Sequence, residues 1–253
     1  MNFNIRGRLP IAVEHTLIYG ISIALMKSIS LIMLPITAFY LRPEQFGQLE
    51  LLTSIGIVCS ILVGLGLENT LFRFAGTSND LEEQKRTAGS ILNLSLLTGG
   101  LAGVAGWTIA PWVVESITVD ISVQQLRIVL VIIALEGAVA IPLAWCRMQE
   151  QVKMFFFATT LRTVAQALMI VLFLHLGFAV TGVLMACLIA AGTQAFILTA
   201  MMLRQTKVFL TISDGAKFLS YSLPIVGSGF LAFSLAGFDR WLLAIFGSLT
   251  QVA

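Results

Sequence analysis

The chain has 253 residues, 58% of them hydrophobic and only 11% charged, with a formal net charge of +2. Soluble domains carry charge on roughly a quarter of their residues, so a water-facing globule of this size is excluded and the bilayer is the natural solvent. The basic residues are scattered rather than clustered, which gives no nucleic-acid footprint.

A spanning helix needs about 20 mostly apolar residues, and seven stretches qualify. The first runs near Leu17 to Leu41. Arg6 and Arg8 precede it, but the stretch is long, is interrupted by Lys27 and lacks a small-x-small cleavage site, so it reads as a retained span. The turn LRPEQFGQ follows, with Pro43 and Gly47 as breakers. The second span runs near Leu49 to Leu67, and a polar loop from Arg73 to Arg86 comes next. The third, near Ala88 to Val113, is free of charge. Glu115 and Asp120 mark the next loop, the fourth span runs near Leu126 to Cys146, and RMQEQVK closes it. The fifth runs near Met154 to Phe178, and AVTG reads as a tight turn into a sixth that ends near Leu203. RQTKVFLTISDGAKF, residues 204–218, is a polar connection whose Val208, Phe209, Leu210 and Ile212 are expected along the membrane surface. The seventh span starts near Leu219.

Lys and Arg placement predicts the orientation. With the N-terminus in the cytoplasm, the inside segments hold ten: Arg6, Arg8, Arg73, Lys85, Arg86, Arg147, Lys153, Arg204, Lys207 and Lys217. The outside segments hold three: Arg42, Arg127 and Arg240. Trp107, Trp112, Trp145 and Trp241 fall toward span ends, as interfacial belts do. Gly99, Gly103 and Gly106 form a small-xxx-small stripe, and Ala190, Ala191 and Gly192 cluster in the sixth span; both favour close helix packing. Pro35 and Pro142 lie within spans and are expected to bend them.

An ionisable side chain deep in a membrane is expensive, so its presence points to function by default. Lys27 and Glu136 lie about ten residues into their spans and Arg162 about eight, which places all three in one depth band. Glu136 is expected to pair with Lys27 or Arg162 and leave one cation for an anionic substrate. The plainer alternative is a buried ion pair that only sets helix registry. Thr159, Thr163 and Gln166 share a side of the helix with Arg162. Asn93, Ser95, Thr98, Thr193 and Gln194 are further candidates for a polar lining, although hydroxyls in membrane helices often bond back to their own helix. His15 and His175 sit near span ends and read as interfacial polar residues.

Cys59, Cys146 and Cys187 are odd in number and lack metal-type spacing, so they read as packing residues, with neither zinc nor a disulfide. There is no phosphate-cradling glycine loop, no HExxH and no nucleophile–base constellation. No enzymatic activity, cofactor or metal is expected.

Three stretches carry a resemblance: LMKSISLIMLPITAFYLRPEQFGQLELLTSI, GLENTLFRFAG, and YSLPIVGSGFLAFSLAGFDRWLLAIFGSLTQVA at the end. They resemble the Wzx-type O-antigen and capsule flippases. These form the polysaccharide-transport branch of the multidrug/oligosaccharidyl-lipid/polysaccharide (MOP, MATE-like) exporter superfamily. The resemblance implies an all-α polytopic fold of two six-helix lobes around a central cavity. It implies alternating access that moves an undecaprenyl-pyrophosphate-linked oligosaccharide across the bacterial inner membrane, driven by an ion gradient or membrane potential. The partners implied are that lipid-linked substrate, membrane lipids, and polysaccharide polymerase or glycosyltransferase machinery. A cationic cavity of Lys27 and Arg162, with Glu136 and Gln166, fits a pyrophosphate. Carried over by motif, Glu50 falls in the outer turn before the second span, Arg73 in the inner segment after it, and Asp239 and Arg240 in the seventh-span motif.

The family's length exceeds this chain's. The expected organisation is a six-helix lobe over 1–203, a cytoplasmic connection over 204–218, and the first helix of an incomplete second lobe over 219–253. The last stretch faintly repeats the first, at pairs such as Leu17/Leu223, Ser22/Ser228 and Ser28/Ser234. Two alternatives remain at this point: a small-molecule or drug/cation antiporter of the MATE type, and a membrane fragment that does not transport.

Overall fold

The computed structural model describes the backbone of residues 9–78, 80–116, 121–206 and 212–246, and the side chains of 13–78, 80–116, 121–206 and 214–234. The regular elements among the described residues are all helices: α1 (Leu9–Tyr40), α2 (Pro43–Gly64), α3 (Leu67–Phe74), α4 (Leu81–Ser116), α5 (Val123–Ala134), α6 (Glu136–Met148), α7 (Val152–His175), α8 (Ala179–Gln205) and α9 (Ile212–Phe246). Seven spans emerge, because α2 runs into α3 and α5 into α6 as two bent membrane crossings. The reason for helices is physical. In lipid every backbone N–H and C=O must be satisfied inside its own segment, and a helix does that locally.

The breaks are tighter than the sequence suggests. Leu41 and Arg42 alone separate α1 from α2, because Pro43 supplies a preset helical φ at the first position and the Gln45 side chain accepts from the Arg42 N–H at 3.1 Å. Glu50, expected in that turn, therefore lies inside α2. AVTG is likewise the start of α8. The turn falls earlier, over Leu176–Phe178, with Gly177 at φ 83°. The loop expected over 73–86 shrinks, since Arg73 closes α3 and Glu82, Glu83, Lys85 and Arg86 open α4. Ser122 caps α5 by accepting from the Gln124 N–H at 3.2 Å, and Gln125 accepts in return from the Ser122 N–H at 3.1 Å. The connection after α8 is shorter than 204–218, because α9 begins at Ile212; Val208, Phe209 and Leu210 lie outside the described residues.

Two left-handed residues, Leu65 (φ 48°) and Gly66 (φ 62°), separate α2 from α3. That break lets α3 tuck its Leu67, Leu71 and Thr70 into a core with Ile91, Leu92 and Trp145. Trp145, expected at a membrane interface, is 2% exposed, and its indole N–H donates to Gln205 at 3.2 Å. Trp107 and Trp112 do face outward. The side chain of Trp241 is outside the described residues.

Small residues set the closest approaches. A Cβ at Gly99 would strike the Ala134 carbonyl, one at Gly103 would lie 3.0 Å from the Ala134 Cβ, and one at Gly106 would meet Leu130 at 3.0 Å. The glycine stripe is thus where α4 lies on α5. At Gly137 a Cβ would occupy the place of the Ser95 hydroxyl, so this glycine brings α6 against α4.

Helix prolines are accommodated by neighbours. Pro142 has no N–H, which deprives the Ala138 carbonyl of its helical donor. Thr199 of α8 donates to that carbonyl at 3.1 Å. Pro111 does the same to the carbonyl of Trp107, and Arg127 of α5 donates to it through Nε at 3.3 Å, with its guanidinium 4.7 Å from the indole centroid. Both rescues also tie one span to the next. The three cysteines are free thiols, with Cys146 buried and the other two half-buried.

Candidate functional site

α7 and α8 pack along their length, and facing polar side chains join them. Arg162 of α7 is half-buried, and its Nη1 donates to Gln194 Oε1 of α8 at 2.8 Å. The Gln194 amide nitrogen donates back to the Ala158 carbonyl of α7 at 3.0 Å. One turn farther along, the Gln166 amide nitrogen donates to Cys187 Sγ at 3.3 Å. Thr159, Thr163 and Thr193 contribute little here, because each hydroxyl bonds back to its own helix, to Phe155, Thr159 and Ile189 respectively.

Glu136 opens α6 immediately after the break at Leu135. Its carboxylate lies within reach of the Ser60 hydroxyl and within Coulombic range of Arg162. It forms no ion pair among the described residues. The pairing expected from the sequence is therefore replaced by proximity: Glu136 and Arg162 share a depth band, and Arg162's hydrogen bond goes to a neutral amide instead. Lys27 stands apart from the described hydrogen bonds of that network. It falls on an exposed part of α1, which packs chiefly on α7, and it forms no ion pair among the described residues.

Two cavities flank this band. One, of about 240 Å³, lies between α2, α3, α4, α6 and α9 and is lined by Glu136, Glu68, Ser60, Asn69 and Ser95. The other, of about 250 Å³, lies between α1, α2 and α7 and is lined by Glu50, Gln166, Thr163, Thr37 and Ser30. The first holds two carboxylates and the second one, and neither has a Lys or Arg in its wall among the described residues. A third space of about 370 Å³ sits at one end of the bundle, beside Glu14, His15, Glu150 and Lys153. There His15 Nδ1 lies 3.7 Å from Glu150.

Of the motif positions, Arg73 is exposed on the last turn of α3. Asp239 and Arg240 lie on α9, and their side chains are outside the described residues. The polar contact that sequence reasoning missed is Glu68 of α3 with Arg147 of α6, an ion pair whose guanidinium also lies over Phe72 at 5.5 Å and Phe155 at 5.7 Å. Glu68 stands inside GLENTLFRFAG and Arg147 in RMQEQVK, so both were visible as charges at span ends. What was not visible is that the Leu65–Gly66 break turns one toward the other.

A family profile described as "Polysaccharide biosynthesis protein" matches residues 12–253. Two solved structures share the fold, each with a TM-score of 0.65. One is a MOP superfamily transporter from Pyrococcus furiosus Vc1, described as having a binding pocket of reversed polarity that suggests a different function; it is 19% identical, over 88% of this chain and 54% of its own. The other is an outward-facing multidrug resistance MATE family transporter of the MOP superfamily, 18% identical over 91% of this chain and 55% of its own. The chain spans about half the length of both, and at these identities the likeness carries the fold alone. No curated protein matches the chain.

Proposed function

This chain belongs to the polysaccharide biosynthesis protein family, and from that premise we propose that it serves the flipping of lipid-linked oligosaccharide across a bacterial inner membrane by alternating access. The N-terminus lies in the cytoplasm, residues 1–203 form one transporter lobe, 204–218 the connection, and 219–253 the opening of a second lobe. The substrate is an undecaprenyl-pyrophosphate-linked unit destined for O-antigen, capsule or exopolysaccharide. Polymerase and glycosyltransferase machinery stand on either side of the step.

The observation that carries this reading is the Arg162 guanidinium, held at mid-depth by a neutral amide so that no ion pair cancels its charge. A pyrophosphate crossing the membrane needs such a cation, because charge-assisted hydrogen bonds to phosphate oxygens are the strong ones. Glu136, near enough to bias that charge, suits coupling to a cation gradient.

A second reading draws on the cavities. Their carboxylates, Glu136, Glu68 and Glu50, with no basic side chain in either wall among the described residues, favour a cationic solute and a MATE-type antiporter. One experiment separates the two. The chain is expressed in a bacterial strain that accumulates lipid-linked oligosaccharide for want of its exporter, and surface polymer and cationic-dye efflux are both measured. Restored polymer that is lost again on Arg162→Ala supports the flippase. Dye efflux without polymer supports the antiporter, and neither activity supports a non-transporting fragment.

A further inference from the structure

We infer that Gln194 is the positioning residue of Arg162: it fixes the guanidinium while leaving its positive charge unspent. This rests on the reading of Arg162 as the partner of an anionic headgroup.

Gln194 is only 7% exposed, in a helix face otherwise built of Ala190, Ala191, Ala195 and Leu198. A buried amide in such surroundings must find partners or cost stability. It finds two, and both are on one turn of α7. Its Oε1 accepts from Arg162 Nη1 at 2.8 Å, and its Nε2 donates to the Ala158 carbonyl at 3.0 Å. The orientation of the amide is therefore determined. Flipped, it would point N–H groups at the guanidinium and its oxygen at a carbonyl oxygen, and both contacts would repel. Ala158 lies four residues before Arg162 on the same helix, so the amide grips both the side chain and the backbone turn that bears it.

The choice of amide over carboxylate matters chemically. Glutamate has the same shape, but its charge would cancel that of Arg162 and its oxygen would face the Ala158 carbonyl lone pair. Glutamine supplies geometry without neutralisation. The guanidinium keeps further N–H donors after meeting Gln194. None of its nitrogens is among the buried, unpartnered atoms of the described residues, so those donors are not sealed inside protein. A fixed, still-charged fork of this kind is the group that discriminates a phosphate-bearing polyprenyl lipid from its neutral alcohol.

The test uses the full chain in detergent micelles, with geranylgeranyl pyrophosphate and geranylgeraniol as probes and melting temperature read in parallel. The unmodified chain is expected to prefer the pyrophosphate, and Arg162→Ala to lose that preference. Gln194→Met and Gln194→Glu are each expected to weaken pyrophosphate binding on the order of tenfold, the size expected for a hydrogen bond to a charged group. Geranylgeraniol binding should not change. The decisive arm is the double variant: Gln194→Met should have no further effect in the Arg162→Ala background. Equal losses in both backgrounds, or a lowered melting temperature with unchanged pyrophosphate affinity, would show a merely structural amide and overturn the inference. If the unmodified chain shows no preference, or Arg162→Ala keeps it, the reading of Arg162 fails first, and that result is distinct from a failure at Gln194.

Discussion

Arg147 and Arg162 are the same side chain given opposite kinds of partner. Arg147, at the end of α6, meets the Glu68 carboxylate of α3 and lies between the rings of Phe72 and Phe155. Its charge is cancelled, and the result is a joint that binds α3, α6 and α7. Arg162 meets an uncharged amide, and no ion pair among the described residues cancels its charge. An arginine paired with a carboxylate has its charge met within the protein, whereas one held by an amide keeps its charge, which is what the proposed anion-binding role of Arg162 requires. The partner residue, more than the arginine, decides whether the charge is cancelled.

The coarsest way to break this contrast is to move the helix that carries Glu136 and Arg147 together. Gly137→Val must push α6 off the Ser95 hydroxyl of α4, and overpacking of this kind costs about 1–3 kcal/mol. A fall in melting temperature and in monodisperse yield checks it, and an unchanged protein would show that the α4–α6 approach is slack. Next come the two arginines themselves. Arg162→Leu should lower polyprenyl pyrophosphate binding on the order of tenfold or more, the loss expected for a charge-assisted contact. Arg147→Leu should leave that binding intact and lower thermal stability; the reverse pattern would invert the comparison. A smaller effect is expected from exchanging the outer pair. Each of Glu68→Arg and Arg147→Glu should cost about 1 kcal/mol for a half-exposed ion pair, and the double exchange should regain most of it, as read by denaturant titration in micelles. Smallest is Thr199→Val, which strips the donor from the Ala138 carbonyl and should cost about 0.5–1 kcal/mol. Full retention of stability there would mean that the carbonyl freed by Pro142 finds another donor.

Legibility in the sequence followed the range of the physics. The seven apolar stretches and the close packing at Gly99, Gly103 and Gly106 rest on local composition and helical rise. Boundaries were read less well where special backbone intervened. Leu65 and Gly66 in left-handed geometry cut the second span, and Pro43 started α2 early enough to take in Glu50. Trp145 was misplaced because span ends and protein interiors both suit an indole, and only the fold of α3 over α6 buries it. Lys27, expected to share a polar cluster with Arg162, is exposed on α1 and forms no ion pair among the described residues, whereas Arg162 is held by Gln194 of α8.

The amino-acid sequence by itself determined that this chain is a bundle of membrane-crossing helices. Lipid cannot hydrogen-bond a backbone, so an apolar run of sufficient length has one local solution. The tertiary structure alone decided which polar groups meet: Gln194 with Arg162, Glu68 with Arg147, Thr199 with the carbonyl freed by Pro142. Those contacts join residues on different spans, and their geometry depends on how the helices pack and rotate against one another, which no single stretch encodes.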